Sequence, residues 1–182
     1  MMLLSGCGGG GGASSPVPTP PSASGGQVTL KTSMGDIVVE LDAGKAPIST
    51  ANFLQYVADG FYANKIFHRV VSNFVIQGGG FNAALELAPT RAAIKLEASN
   101  GLKNERGTIA MARTDAPDSA TSQFYINVQT NTSLDGNYAV FGRVVAGMDV
   151  VDQIKLVPTH TAGGMPDVPV TPVVIIAAAK TK

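Results

Sequence analysis

Phe67-His68-Arg69-Val70 and, after a short polar break, Phe74-Val75-Ile76-Gln77-Gly78-Gly79-Gly80-Phe81 are the stretch on which the fold turns. Both runs are short, apolar and bounded by turn-forming residues, which favours strands over helices. Neighbours in a strand face opposite ways, so Phe67 and Arg69 are expected on one face and His68 on the other, with Phe74 and Ile76 opposing Val75 and Gln77. A cationic fork and an amide are thereby set among large apolar side chains. A plainer alternative exists, in which Arg69 reaches solvent along its stem and the aromatics are simply core. The triple glycine lacks the Lys and Ser/Thr of a phosphate-binding loop, so it marks a tight turn or a place where a ligand meets bare backbone.

On either side of this stretch the chain continues as short strands. Val28, Leu30 and Thr32 alternate with polar residues, Ser33-Met34-Gly35-Asp36 supplies a turn, and Ile37, Val39 and Leu41 resume the alternation as a hairpin. Pro47 suits a first helical turn, and Ile48, Ala51, Leu54, Val57 and Ala58 recur at helical spacing until Gly60. Further β-like runs fall at 66–71, 74–77, 107–111, 123–128, 139–144 and 170–178, with a second helix at 148–154 and a long connector at 157–169. Many short strands with two helices predict a mainly β fold, an antiparallel barrel or sandwich carrying helices.

Composition narrows the function. The 182 residues carry 13 Lys plus Arg against 13 Asp plus Glu, with a pI near 6.7, so there is no basic field to hold a phosphate backbone and nucleic acid is not an expected partner. One Cys cannot form an intramolecular disulfide, and with two His it cannot complete a structural zinc site without carboxylates. No apolar run reaches the ~20 residues of a membrane-spanning helix. A Ser-His-Asp hydrolase built on His68 or His160 has no supporting spacing. The first 30 residues hold no charge, and 8 of 21 Gly and 4 of 11 Pro lie within 1–27. Residues 1–27 therefore read as a tail ending in a Gly/Ser/Pro linker, and 28–182 as the folded domain.

The two opening runs, together with Asn104-Glu105-Arg106-Gly107-Thr108-Ile109-Ala110-Met111-Ala112, Ser122-Gln123-Phe124-Tyr125-Ile126, Leu134-Asp135-Gly136 and Val140-Phe141-Gly142, resemble the cyclophilin family of peptidyl-prolyl cis/trans isomerases, most of all its periplasmic bacterial branch. These motifs, in register, cover nearly the whole domain. The resemblance implies a closed eight-stranded antiparallel β-barrel capped by two α-helices, with the active site in a groove on its outside. It implies an enzyme that assists folding outside the cytoplasm by rotating X-Pro bonds of proline-containing and unfolded polypeptides, as a monomer and without cofactor or metal. The alternative is a non-catalytic proline-peptide binding or chaperone module.

By motif, Arg69 matches the catalytic arginine, Phe74 and Val75 the floor of the proline pocket, and Gln77 the amide that holds substrate backbone. Met111, Ala112, Gln123, Tyr125, Leu134 and Tyr138 match further groove positions, and His68 a structural histidine beside the arginine. Tyr125 replaces the more usual Phe, Ser133 a Trp, Tyr138 a His and Arg113 an Asn, and the segment 114–121 is about one residue longer. Without the indole at Ser133 the expectation of tight cyclosporin binding weakens. At the N-terminus, Leu4-Ser5-Gly6-Cys7 resembles a bacterial lipobox, which implies lipidation at Cys7 and a periplasmic or cell-envelope location. Only three residues precede the motif, so either the signal begins upstream of Met1 or this is a low-complexity tail with an incidental Cys.

Overall fold

Alternation at the start of the domain builds a hairpin. β1 (Ser24–Thr32) and β2 (Gly35–Asp42) pair antiparallel and bury Val28, Leu30, Ile37, Val39 and Leu41 on one face. The computed structural model describes residues 24–182; Cys7 and the lipobox-like motif lie outside the described residues. β1 starts four residues ahead of Val28, because β2 runs on to pair Asp42 with Ser24, Leu41 with Gly26 and Glu40 with Gln27. The C-terminus adds two bonds at Gln27: its N–H donates to the carbonyl of Lys182, and Thr181 N–H to its carbonyl.

The helix α1 (Pro47–Ala58) opens on proline and has no cap from its own N-terminal side chain. Glu97 supplies one from elsewhere in the chain. Its Oε1 accepts the Ile48 N–H at 3.0 Å, and its Oε2 accepts the N–H and Oγ–H of Ser49, each at 2.7 Å. A carboxylate there satisfies otherwise unpaired amides and meets the positive end of the helix dipole. Phe53, Tyr56 and Val57 of α1 enter the core.

Eight further strands follow before the C-terminal one. They are β3 (Lys65–Ile66), β4 (Arg69–Val70), β5 (Val75–Gly78), β6 (Thr108–Met111), β7 (Phe124–Asn127), β8 (Val140–Ala146), β9 (Thr159–Ala162) and β10 (Met165–Pro169). The helix α2 (Met148–Ile154) lies between β8 and β9, and β11 (Val174–Lys180) ends the fold. One sheet runs β3-β11-β1-β2-β8-β6-β7-β5-β4, all antiparallel, and β9 and β10 form a separate hairpin. Its two edge strands, β3 and β4, are successive pieces of the run 65–70, so this one segment joins both ends of the curled sheet. Taken as one strand, that run gives the expected eight, with the ladder interrupted at Phe67 and His68. Inside the curl Phe53 meets Tyr62, Phe124 and Phe141 with ring centroids 5.2, 5.6 and 5.3 Å apart.

Two departures from the sequence expectation concern the C-terminal third. The connector at 157–169 is in fact the β9–β10 hairpin, turned by Gly163 and Gly164 at φ 57° and 78°. It escapes apolar patterning because most of its residues are exposed. The last strand begins at Val174 rather than 170, since Pro172 has no N–H to give a ladder.

Candidate active site

Strand alternation splits the apolar residues of β5, β6 and β7 into two clusters. Ile76, Ile109, Met111, Phe124 and Ile126 point into the main core, while Val75, Ala110, Ala112 and Tyr125 face the other way with Val140. Phe74, Leu102, Leu134 and Tyr138 pack on this second cluster and keep part of their surface in solvent. Leu134 arrives from a 3-10 turn, Thr132–Leu134.

Register places the key groups in one row across the sheet. Arg69 pairs with Gln77, Gln77 with Tyr125, Tyr125 with Ala110, and Ala110 with Val140. The row carries a cation, an amide and then apolar surface, in that order. Arg69 Cζ lies 5.9 Å from the centre of the Phe74 ring, and Gln77 Nε2 donates to Gln123 Oε1 at 3.1 Å. The triple glycine explains that pair of amides. A Cβ on Gly80 would fall 2.7 Å from Gln123 Cγ, so bare backbone is needed where the Gln123 side chain rests. Gly79, at φ 86°, lies between the rings of Phe124 and Tyr62.

A buried polar network holds the pocket from behind, and the sequence expectation did not include it. Tyr125 O–H donates to Asn104 Oδ1 at 2.7 Å, and Asn104 N–H donates to Asp135 Oδ1 at 2.7 Å. Asn127 Nδ2 donates to the same Asn104 oxygen at 3.2 Å, and Asn131 Nδ2 to Asn127 Oδ1 and to the Phe74 carbonyl at 2.7 and 2.9 Å. Every donor has a partner, the condition under which a buried network rigidifies its surroundings. Burial, then the nearby Tyr138 and Asp135, push the Tyr125 phenol well above its ordinary range, so it is a neutral donor. Hydrogen bonds from Asn104, above all its backbone N–H, hold the Asp135 carboxyl low. Tyr138 meets Tyr125 edge-on at 5.8 Å and carries the Arg113 guanidinium 4.8 Å above its ring. Arg113 Nε is fixed in turn on the Asn137 carbonyl at 2.9 Å.

Most sequence-derived site residues, namely Arg69, Phe74, Val75, Gln77, Ala112, Gln123, Tyr125, Leu134 and Tyr138, lie in or around this row. Met111 does not. It is 1% exposed inside the main core, because it ends β6 facing away from its neighbours Ala110 and Ala112. Phe67 and Arg69 do not share a face either: Phe67 is in the core, where the break in the ladder releases it from alternation. Phe74 sides with Val75 rather than Ile76, since it sits in a turn before β5, its N–H donating to the Val71 carbonyl. His68 is 5% exposed, packs on Phe81 at 4.6 Å and leaves Nδ1 without a partner. Burial, and secondly Arg69, lower its pKa to about 4, so the ring is neutral. Among the described residues no three His, Cys, Asp or Glu side chains stand close enough together to hold a metal ion.

A cation, an amide pair and an apolar slot thus stand together on one face of the sheet. The model of the family described as "Cyclophilin type peptidyl-prolyl cis-trans isomerase/CLD" matches residues 27–180. The chain belongs to the cyclophilin-type peptidyl-prolyl cis/trans isomerases. Like them it is an isomerase of X-Pro bonds. A peptidyl-prolyl cis-trans isomerase of Acinetobacter baylyi is 57% identical over 155 residues, spanning 82% of each chain. Peptidyl-prolyl cis-trans isomerase B of Escherichia coli is 53% identical over 156 residues, covering 81% of this chain and 95% of the relative. Among solved structures, a cyclophilin type peptidyl-prolyl cis-trans isomerase of Cryptosporidium parvum superposes with a TM-score of 0.75 at 26% identity, covering 86% of this cyclophilin and 98% of the other.

Proposed function

We propose that the row Arg69–Gln77–Tyr125 is where this isomerase turns its X-Pro substrate, with Arg69 as the catalytic donor. Rotation must break amide resonance, a barrier of about 18–20 kcal/mol that makes uncatalysed exchange take tens of seconds. No bond is made and no proton must move. The planar amide is charge-separated; the twisted one is less polar and carries a basic lone pair on a pyramidal nitrogen. The slot of Phe74, Val75, Ala112, Tyr125 and Leu134 therefore favours the twisted form over water. A guanidinium directed at the nitrogen favours it further, since it keeps its charge in an apolar setting and offers several donors in a rigid fork. Gln77, steadied by Gln123, holds the carbonyl or adjacent backbone so that one side of the bond turns against the other.

An acceleration of ~10⁶ needs about 8 kcal/mol off the barrier, and one preorganised donor supplies roughly 3–4. Pocket desolvation and backbone clamping provide the rest. The observation that carries this reading is the place of Arg69, at the end of the row and beside the Phe74 ring. Arg69→Ala is expected to lower kcat/KM for a prolyl peptide at least about a hundredfold with an unchanged circular dichroism spectrum, and Arg69→Lys to recover only part. Near-wild-type turnover in Arg69→Ala would remove the mechanism.

We also propose that the domain acts as a monomer on unfolded, proline-containing polypeptides at the cell envelope, tethered through residues 1–27 and an acyl-modified Cys7. The lipobox-like motif followed by a linker-like composition supports this reading. Metabolic labelling with a fatty acid should mark the protein and fail to mark Cys7→Ala; equal labelling would remove the anchor.

A further inference from the structure

The β9–β10 hairpin lies outside the row, yet it packs against β4 and brings a carboxylate to the catalytic guanidinium. Asp167 Oδ2 stands 3.8 Å from Arg69 Nε, with the two side chains 41% and 35% exposed. Among the described residues it is the only charged or hydrogen-bonding partner of the Arg69 side chain. Asp167 has φ 61°, the left-handed region that residues with a Cβ rarely enter. It sits in a register break of the hairpin, between Met165 and Val168, and buried Val168 and Pro169 follow it. Strained backbone persists where the surroundings over-determine it, and such positions cluster at functional sites. Here the strained position presents its side chain to the arginine that carries the reaction.

We propose that Asp167 is a positioning residue for the isomerase: it engages Arg69 through Nε, on the stem side of the fork, and so leaves the two terminal nitrogens to the proline amide. The guanidinium is then bracketed, with the Phe74 ring near Cζ and the carboxylate at Nε. A long, flexible side chain at a half-open site would otherwise distribute over several rotamers, most of which miss the nitrogen lone pair. The pair is too exposed to stabilise the fold much, so its effect should appear in turnover and not in melting.

This inference rests on Arg69 being the catalytic donor, and the test separates the two. Asp167→Asn removes the charge while keeping a residue that tolerates left-handed backbone. Isomerisation of a short X-Pro peptide, followed by exchange NMR so that kcat and KM are read separately, should show kcat about three- to fivefold lower, KM within about twofold and the melting temperature unchanged. Asp167→Glu should regain part of the loss. In an Arg69→Lys background, which has no Nε to hold, Asp167→Asn should leave kcat unaltered. Wild-type kcat in Asp167→Asn, or a loss of the same size in the Arg69→Lys background, would overturn the inference. Full activity in Arg69→Ala would instead sink the assignment of Arg69 itself.

Discussion

Ile109 and Met111 of β6 point into a core from which solvent is excluded, while Ala110 of the same strand and Ala112 just after it point to a cluster whose outer members, Phe74, Leu134 and Tyr138, stay half-buried. The inner face is packed with touching aromatic rings. The outer face is apolar but unfinished, edged by Arg69, Gln77 and Arg113. Both faces come from one set of strands and one alternation, so stability and chemistry are divided by the direction in which each residue points. Substitutions inside should therefore move stability and leave the rate, and substitutions outside should do the reverse.

The largest effect expected from this division is at Phe53, fully buried among Tyr62, Phe124 and Phe141. Phe53→Ala should cost about 3–5 kcal/mol in chemical denaturation, with kcat/KM of the folded fraction near wild type. A loss below about 1 kcal/mol would break the comparison.

His68 borders both regions, buried yet adjacent to Arg69. With its pKa lowered to about 4, the unfolded chain takes up a proton between about pH 6.5 and 4 that the native ring refuses, so stability rises with pH across that window. Acidification through it should remove about 3 kcal/mol, of which roughly 2 is already gone at pH 5. His68→Gln should flatten this part of the stability curve measured by denaturation. Asp135 and Asp152, both held below the usual carboxylate range, act only at lower pH and do not mask it. An identical pH dependence in the two proteins would show that the ring accepts its proton in the native state.

The smallest effect sharpens the comparison at its boundary. Tyr125→Phe deletes the donor to Asn104 while Asn127 still satisfies that oxygen. A loss of about 1 kcal/mol is expected by thermal or chemical denaturation, because no acceptor is orphaned. No loss at all would mean that the polar network does not hold the pocket wall.

The hairpin, both helices and the central strands are legible in the sequence from their periods, two for Leu30 or Ile37 and near 3.6 for Ile48 to Ala58. The stripe that marks α1 is nonetheless not the face it buries: Ile48, Ala51 and Ala58 are exposed, and Ser49, Thr50, Phe53, Tyr56 and Val57 face inward because the aromatic rings take the core. What pattern could not deliver lies where regularity fails. Phe67 and Phe74 sit beside interruptions of the ladder, and parity assigns both to the wrong side. Met111 came with the family motif, which names positions but not the direction of a side chain. Asn104, Asn127 and Asn131 come together from separate parts of the chain, so no local spacing announces them. Asp167 was hidden for another reason. Its hairpin has no apolar face to betray it, and its contact to Arg69 spans 98 positions, 167 minus 69.

The ladder that aligns Arg69, Gln77 and Tyr125 also acts as a ruler. Neighbouring strands of a sheet lie about 4.8 Å apart, so the guanidinium-bearing backbone and the phenol-bearing backbone, two strands away, are fixed about 10 Å from each other, whatever side chains occupy them. Exchanging single residues along the rung would retune the chemistry at constant spacing. Deleting one residue within β5 would turn Gln77 into the interior and dismantle the row, so the lineage is free to vary the teeth but not the comb.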